Sequence, residues 1–247
     1  MLAGVEVVVP ASPEEAVSAF GEGGDVTVIA GGTIVMPDVT ARRLRPTRAL
    51  LLTRAGLDGV TRADGKVTIG AATPLAALED GDEPLAAAAR HVGDPEIRGQ
   101  ATLGGNLCST SSEDAPRGDL QAPLIVLGAT VRSAGSGGER AEPVEDFLAD
   151  GAGRLVLDVG YDDAPRKVGY AAATRPHSHH YTILAVAAAE RDGEVRLAAT
   201  GIGPRAVRLD PNDPLAGIEP PDDAVASGWY RAQVLPKLVE RALADLS

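Results

Sequence analysis

The sequence predicts an α+β protein, and three observations carry that expectation. Its first fifty residues alternate short β-branched runs with a well-capped helix. A second stretch, to about residue 153, mixes further strands and Ala-rich helices. From Arg154 the pattern turns to strand-like runs, with Asp192-Gly193 as a hairpin turn between two of them, and ends in a helix.

The elements follow in order. Val5 to Val9 reads as a strand. Ser12-Pro13-Glu14-Glu15 starts a helix: Ser12 caps, Pro13 suits the first helical position, and Glu15 completes a capping box. That helix stops at the Gly-rich 21–24 stretch. Val26 to Ala30 is a strand ending in Gly31-Gly32-Thr33, from which Ile34 begins a short helix. Ala49 to Thr53 is the next strand, completing a small α/β layer. Val67 to Gly70 is a strand, Thr73-Pro74 opens a helix to Glu79, and Glu83 to His91 is helical. Gly93 to Arg117 reads as one long irregular loop, of a length usually kept for function. Leu120 to Leu127 is helical, and a hairpin spans Thr130 to Glu142 around 135–138. Arg154 to Val159, Lys167 to Thr174, Tyr181 to Glu190 and Glu194 to Gly201 read as an antiparallel sheet. Pro204 to Asp223 is loop, and Ala224 to Leu246 a helix that Pro236 kinks or splits.

Composition removes several function classes. The 247 residues hold 23 Lys plus Arg and 35 Asp plus Glu, so the net charge is 23 − 35 = −12. General binding to a phosphate backbone needs clustered cations, which this chain lacks. Its single cysteine, Cys108, holds no iron–sulfur cluster by itself. Aromatics make up 3% of the chain against 44% hydrophobic residues, so the core is expected to be aliphatic. Met1 to Pro10 carries no charged leader region and no run nears the ~20 apolar residues of a membrane span, which reads as a cytoplasmic protein.

Two glycine-rich turns stand out: Ala30-Gly31-Gly32-Thr33 after an apolar strand, and Thr102-Leu103-Gly104-Gly105-Asn106 inside the long loop. Facing one another, they would offer successive backbone N–H groups to an anion such as a pyrophosphate, so that local dipoles do what the net charge cannot. Neither a dinucleotide G-x-G-x-x-G nor a P-loop is present.

Val28-Ile29-Ala30-Gly31-Gly32-Thr33, then Gly93-Asp94-Pro95-Glu96-Ile97-Arg98 leading into Ala101-Thr102-Leu103-Gly104-Gly105-Asn106, resembles the flavin-binding medium subunit of the molybdenum hydroxylases, the carbon-monoxide and xanthine dehydrogenase type. Asp119-Leu120, Gly201-Ile202-Gly203-Pro204 and Ser227-Gly228-Trp229-Tyr230-Arg231 extend it. The resemblance implies a two-lobed FAD-binding domain of the p-cresol methylhydroxylase (PCMH) type over 1–153, with lobes of about 1–55 and 56–153. A small α+β C-terminal domain would follow over 154–247. It implies that Ala30, Gly31, Gly32, Thr33 and Ile34, with Thr102, Leu103, Gly104, Gly105 and Asn106, line the pyrophosphate. Asp119 would help hold the cofactor, Leu155 would lie beside a ring, and Tyr181 near the isoalloxazine. It further implies an iron–sulfur small subunit and a molybdopterin large subunit as partners, with electrons passing from iron–sulfur clusters through FAD to an acceptor. The chain departs from the resemblance at Ser111 to Gly118, which looks inserted, at Ala172, where the family often has Lys, and in a short stretch between Asp210 and Ser227. A structural subunit of the same fold with lost FAD binding, and a free-standing flavoprotein, are the alternative readings.

Other candidates have plainer readings. His177, His179 and His180 lack the further ligands of a metal set and suit a polar segment near the flavin. Cys108 suits a tight loop, and Arg42, Arg43 and Arg45 suit a solvated face.

Overall fold

The computed structural model describes residues 4–112, 118–175 and 182–247. Its chain begins β1 (Glu6–Val8), α1 (Pro13–Phe20), β2 (Val26–Ile29), α2 (Val35–Thr40) and β3 (Arg48–Leu51). The three strands form a parallel sheet in the order β1-β3-β2. The Ser12 hydroxyl accepts from the Glu15 N–H at 3.2 Å, and the Glu15 carboxylate reaches back to the Ala11 N–H at 2.8 Å. The capping box is thus made, displaced by one residue on its return arm.

The middle of the chain supplies β4 (Val60–Ala63), β5 (Lys66–Gly70), α3 (Leu85–Arg90), α4 (Pro95–Gln100), α5 (Leu103–Leu107), α6 (Gln121–Val126), β6 (Thr130–Ala134), β7 (Arg140–Pro143) and α7 (Val144–Asp150). Residues 75–78 form one 3-10 turn in place of the expected helix. The expected irregular loop after Gly93 instead holds α4 and α5. Asp94 caps the first through the Ile97 N–H at 2.8 Å, with Pro95 behind it, and Thr102 caps the second through Gly105.

The C-terminal part is β8 (Leu155–Asp162), β9 (Lys167–Thr174), β10 (Thr182–Arg191), β11 (Glu194–Thr200), β12 (Val207–Arg208) and α8 (Gly228–Ala244). The four-stranded antiparallel sheet runs β12-β11-β10-β9. β8 is not in it. It sits at the centre of a five-stranded antiparallel sheet, β4-β5-β8-β6-β7, with Val131 and Ile69 both opposite Val159. Alternation along the strand shows that it is a strand without showing which sheet it joins.

Three aliphatic clusters hold the molecule. One packs α1 on the parallel sheet and on Leu155 and Leu157. The largest packs α3, α5 and α6 on the five-stranded sheet and reaches Ala187, Ala189 and Ala198 on one face of the four-stranded sheet. The third packs α8 on that sheet's other face. β10 is therefore buried on both faces from Thr182 to Ala189, which explains its run of small residues. α8 passes through Pro236 unbroken. It lies so close to β9 that a Cβ on Gly169 would stand 1.9 Å from the Ala242 carbonyl, and this packing outweighs the proline's lost hydrogen bond. No helix among the described residues is long and apolar enough to cross a membrane.

Candidate cofactor cleft

A cleft of about 710 Å³ opens where the strand ends of the three sheets converge, a size suited to a small-molecule site. The 30–35 turn, between β2 and α2, forms one wall. The Thr102 end of α5 and the exit of that helix, 108–110, form the opposite one. Gly93, Asp94 and Ile97, the first residue pair of β8, Asp119 and Thr182 also line it.

Gly31 brings the two glycine turns together. A Cβ there would lie 1.8 Å from the Gln100 carbonyl oxygen and 3.1 Å from the Ala101 Cα, so backbone meets backbone with nothing between. Gly104 makes the same kind of approach to Ala71, where a Cβ would be 2.9 Å from the Ala71 Cβ.

The turns differ in what they offer. The amide N–H groups of 103, 104, 105 and 106 are all engaged within the chain. They donate to the Thr73, Ala71 and Thr102 carbonyls and to the Thr102 hydroxyl, at 2.8–3.2 Å. The expected double cradle of amides is therefore single. Among the described residues, the N–H groups of Gly31, Gly32, Thr33, Ile34 and Val35 have no acceptor in the chain, and all five residues line the cleft. Gly32, at φ 73°, makes the turn between β2 and α2 that carries these amides. Such a nest attracts an anion without a lysine. Among the described residues Arg154 is the one Lys or Arg on the lining, and it is held to the Ser133, Ser136 and Gly138 carbonyls and the Ser133 hydroxyl.

Asn106 ties the second turn to Asp119. Its amide donates to the Asp119 carboxylate at 3.3 Å, and its carbonyl accepts from the Leu120 N–H at 2.9 Å. Burial pushes the Asp119 carboxyl above its usual range of 3.8, opposed in part by the Asn106 hydrogen bond. The folded chain therefore holds that proton more tightly than the unfolded one. The stability this supplies is present below the ordinary value and is lost as pH rises past it. Asp119→Asn is accordingly expected to raise Tm near pH 7, with a gain that shrinks toward about pH 4. Thermal melts at the two pH values check this, and a gain independent of pH would refute it.

Of the positions singled out in the sequence, Ala30, Gly31, Gly32, Thr33, Ile34, Thr102, Gly104, Gly105, Asn106, Asp119 and Leu155 all line this one cleft. Leu103 does not. It is fully buried and, four residues from Leu107, shares the helix face that packs in the core. Tyr181, His177, His179 and His180 lie outside the described residues. Cys108 is exposed and opens onto the cleft.

Several residues that shape the site had no legible signal. Gln121 is fully buried. It donates to the Leu107 and Ser109 carbonyls at 2.9 and 2.8 Å and accepts from the Ala206 N–H at 2.8 Å, fixing the exit of α5 against the C-terminal sheet. Thr182, 5% exposed, lines the cleft, and its hydroxyl acts on the Asp119 carboxyl against the burial that raises it.

These features fit a cofactor that carries an anionic linker between extended rings. The nest suits a pyrophosphate, and the aliphatic wall of Val28, Leu52, Leu155 and Val156 suits a ring. A family model described as the FAD binding domain in molybdopterin dehydrogenase matches residues 3–159. Over 97% of this chain and 93% of the relative, the sequence is 28% identical to the 6-hydroxypseudooxynicotine dehydrogenase complex subunit alpha of Paenarthrobacter nicotinovorans. It is 27% identical to the glyceraldehyde dehydrogenase medium chain of Sulfolobus acidocaldarius, covering 92% and 93% of the two chains. The fold is similar to that of a carbon monoxide dehydrogenase chain from Hydrogenophaga pseudoflava, with a TM-score of 0.85 at 23% identity over 98% and 96% of the two chains.

Proposed function

Because the chain belongs to the family of FAD-binding domains in molybdopterin dehydrogenases, we propose that it is the FAD-carrying electron-transfer subunit of a molybdenum-containing hydroxylase or dehydrogenase complex. The observation that carries this reading is the row of free amides from Gly31 to Val35, pressed against the second glycine turn along one cleft.

Bound FAD would supply two-electron redox chemistry, linking one-electron donors to a two-electron acceptor. The protein's part is binding and placement. The 31–35 amides would hold the pyrophosphate. Gly104 and Gly105 would let it approach the backbone of the second turn, whose own N–H groups keep that turn rigid. Asp119, braced by Asn106, would accept from a cofactor hydroxyl. Leu155 and Val156 would exclude water from a ring.

The reading places FAD binding on the two N-terminal sheets, with the C-terminal sheet and α8 as a separate unit beginning after Asp162, since β8 belongs to the five-stranded sheet. It also places an iron–sulfur subunit and a molybdopterin subunit as partners, and the complex in the cytoplasm. With one cysteine, the iron–sulfur clusters would have to be carried elsewhere.

The test is a visible absorption spectrum of the purified chain, with the released cofactor identified after denaturation. Near one FAD per chain is the expected result. No flavin after addition of FAD to a chain with a folded circular-dichroism spectrum, alone and again with the partner subunits, would overturn the reading in favour of a structural subunit.

A further inference from the structure

The C-terminal sheet is stitched to the cleft by two links. The Ser111 N–H donates to the Pro204 carbonyl at 2.8 Å, and the buried Gln121 side chain joins the Ala206 N–H to the exit of α5. Gln121 follows Asp119 by two residues, so the second link is made next to that carboxyl. So seated, the sheet brings the first residue of β10, Thr182, into the cleft wall.

There Thr182 meets Asp119. Asn106 donates to the Asp119 carboxylate at 3.3 Å, and the Thr182 hydroxyl acts on the same carboxyl. The two come from different parts of the molecule, Asn106 from the second glycine turn and Thr182 from the C-terminal sheet. A binding group keeps its geometry only when neighbouring hydrogen bonds lock its rotamer. Both donors also favour the charged form of Asp119 against its burial, and that form is the one that only accepts. Among the described residues, the titratable groups facing this carboxyl are His91, at the end of α3, and Tyr170 of β9, with rings 5.5 Å apart. A charge on His91 acts in the same direction as the two donors. Tyr170 is pushed up by burial, then by Asp119 and Glu83, so its phenol stays neutral.

We propose that Thr182 is a positioning residue of the cofactor site: together with Asn106 it holds the Asp119 carboxylate as the acceptor for a hydroxyl of bound FAD. The C-terminal sheet thereby completes a site otherwise built by the two N-terminal sheets. The inference rests on the FAD reading above and deepens it.

The test titrates FAD into the full-length apo chain and into Thr182→Val, Thr182→Ser, Asp119→Asn and the Thr182→Val/Asp119→Asn pair, from about pH 5 to about pH 9, following flavin fluorescence. Thr182→Val is nearly isosteric, and its FAD dissociation constant near pH 7 is expected to rise about five- to tenfold. Thr182→Ser keeps the hydroxyl and should restore most of the affinity. Wild-type affinity should fall toward acid pH as Asp119 takes up a proton. In Thr182→Val that fall should begin at a higher pH, because a donor to the charged form is gone. Asp119→Asn should lack it. The pair should bind FAD no more weakly than Asp119→Asn alone, as groups acting through one contact do. In the apo chain, Thr182→Val should lower Tm more near pH 7 than near pH 4, where the carboxyl is neutral. If Thr182→Val fails to fold, Thr182→Ala makes the same comparisons. Equal affinity and an unshifted pH profile in Thr182→Val overturn this inference alone. A loss from Thr182→Val that persists undiminished in the Asp119→Asn background overturns the route through Asp119. No FAD on the wild type overturns the functional reading and this inference with it.

Discussion

Gly31→Ala is expected to abolish FAD binding, lowering affinity by about two orders of magnitude or more. The added Cβ has no space: it would stand 1.8 Å from the Gln100 carbonyl oxygen and 2.6 Å from its carbon. Both are backbone atoms, so neither turn can yield by rotating a side chain. The amides of 31–35 would swing away from the second turn, and the cleft would lose its shape. Gly32→Ala makes a useful contrast. Its cost is the positive φ of 73° and a 3.0 Å approach to the flexible Met36 Cγ, about 1 kcal/mol in all. FAD titrations of the two variants, with circular dichroism to confirm folding, should separate them clearly. Near wild-type affinity in a folded Gly31→Ala chain would refute the two-turn site.

Asp223→Ala is expected to be the most destabilising single change in the C-terminal sheet. Asp223 is the carboxylate partner of a fully buried guanidinium. Removing one member of such a pair strands a charge where water cannot reach it, at a cost of about 3–5 kcal/mol. For a chain of this length, that lowers Tm by roughly 6–20 °C. The exposed Lys237–Glu240 pair on the same helix provides the control. Glu240→Ala should leave Tm within about a degree of wild type, since solvent and salt screen it. Calorimetry of both variants checks the pair, and a small loss for Asp223→Ala would show that the pair is not held in isolation from water.

Much of the fold was legible because local signals agreed with the final packing. Ser12, Pro13 and Glu15 specify the start of α1, and Asp192-Gly193 the β10–β11 turn, where Asp192 and Gly193 both adopt positive φ. Either glycine turn alone reads as an ordinary tight turn; it was the pair, in the order of the family the sequence resembles, that marked them. What escaped had weak or misleading signals. β4 is exposed along its whole length, so no apolar alternation marks it, although Asp64-Gly65 after it is a hairpin turn of the same kind. α4 and α5 were masked by their Gly, Thr and Pro content, although Asp94 and Thr102 are sound caps. The second turn's amides read as free because sequence shows donors but not the carbonyls of Ala71 and Thr73 that arrive from another element. Gln121 matters through the Leu107, Ser109 and Ala206 partners that only three dimensions reveal.

The central place of β8 has a consequence for biosynthesis. On the ribosome, β4 and β5 emerge first, then β6 and β7, and the strand that joins the two pairs comes last. Until residue 162 is made, each half-sheet shows an open edge facing the other, and such edges template wrong pairing between neighbouring nascent chains. At usual elongation rates, the interval from the start of β4 to the end of β8 is roughly 5–20 s. The nascent chain is therefore vulnerable for that whole interval. Closure of the sheet also delivers Leu155 to the cofactor wall, while the largest core still waits for Ala187, Ala189 and Ala198 of the later strands. A cell that makes this protein in quantity would need either a chaperone that covers the half-sheets or slow initiation that keeps neighbouring chains apart.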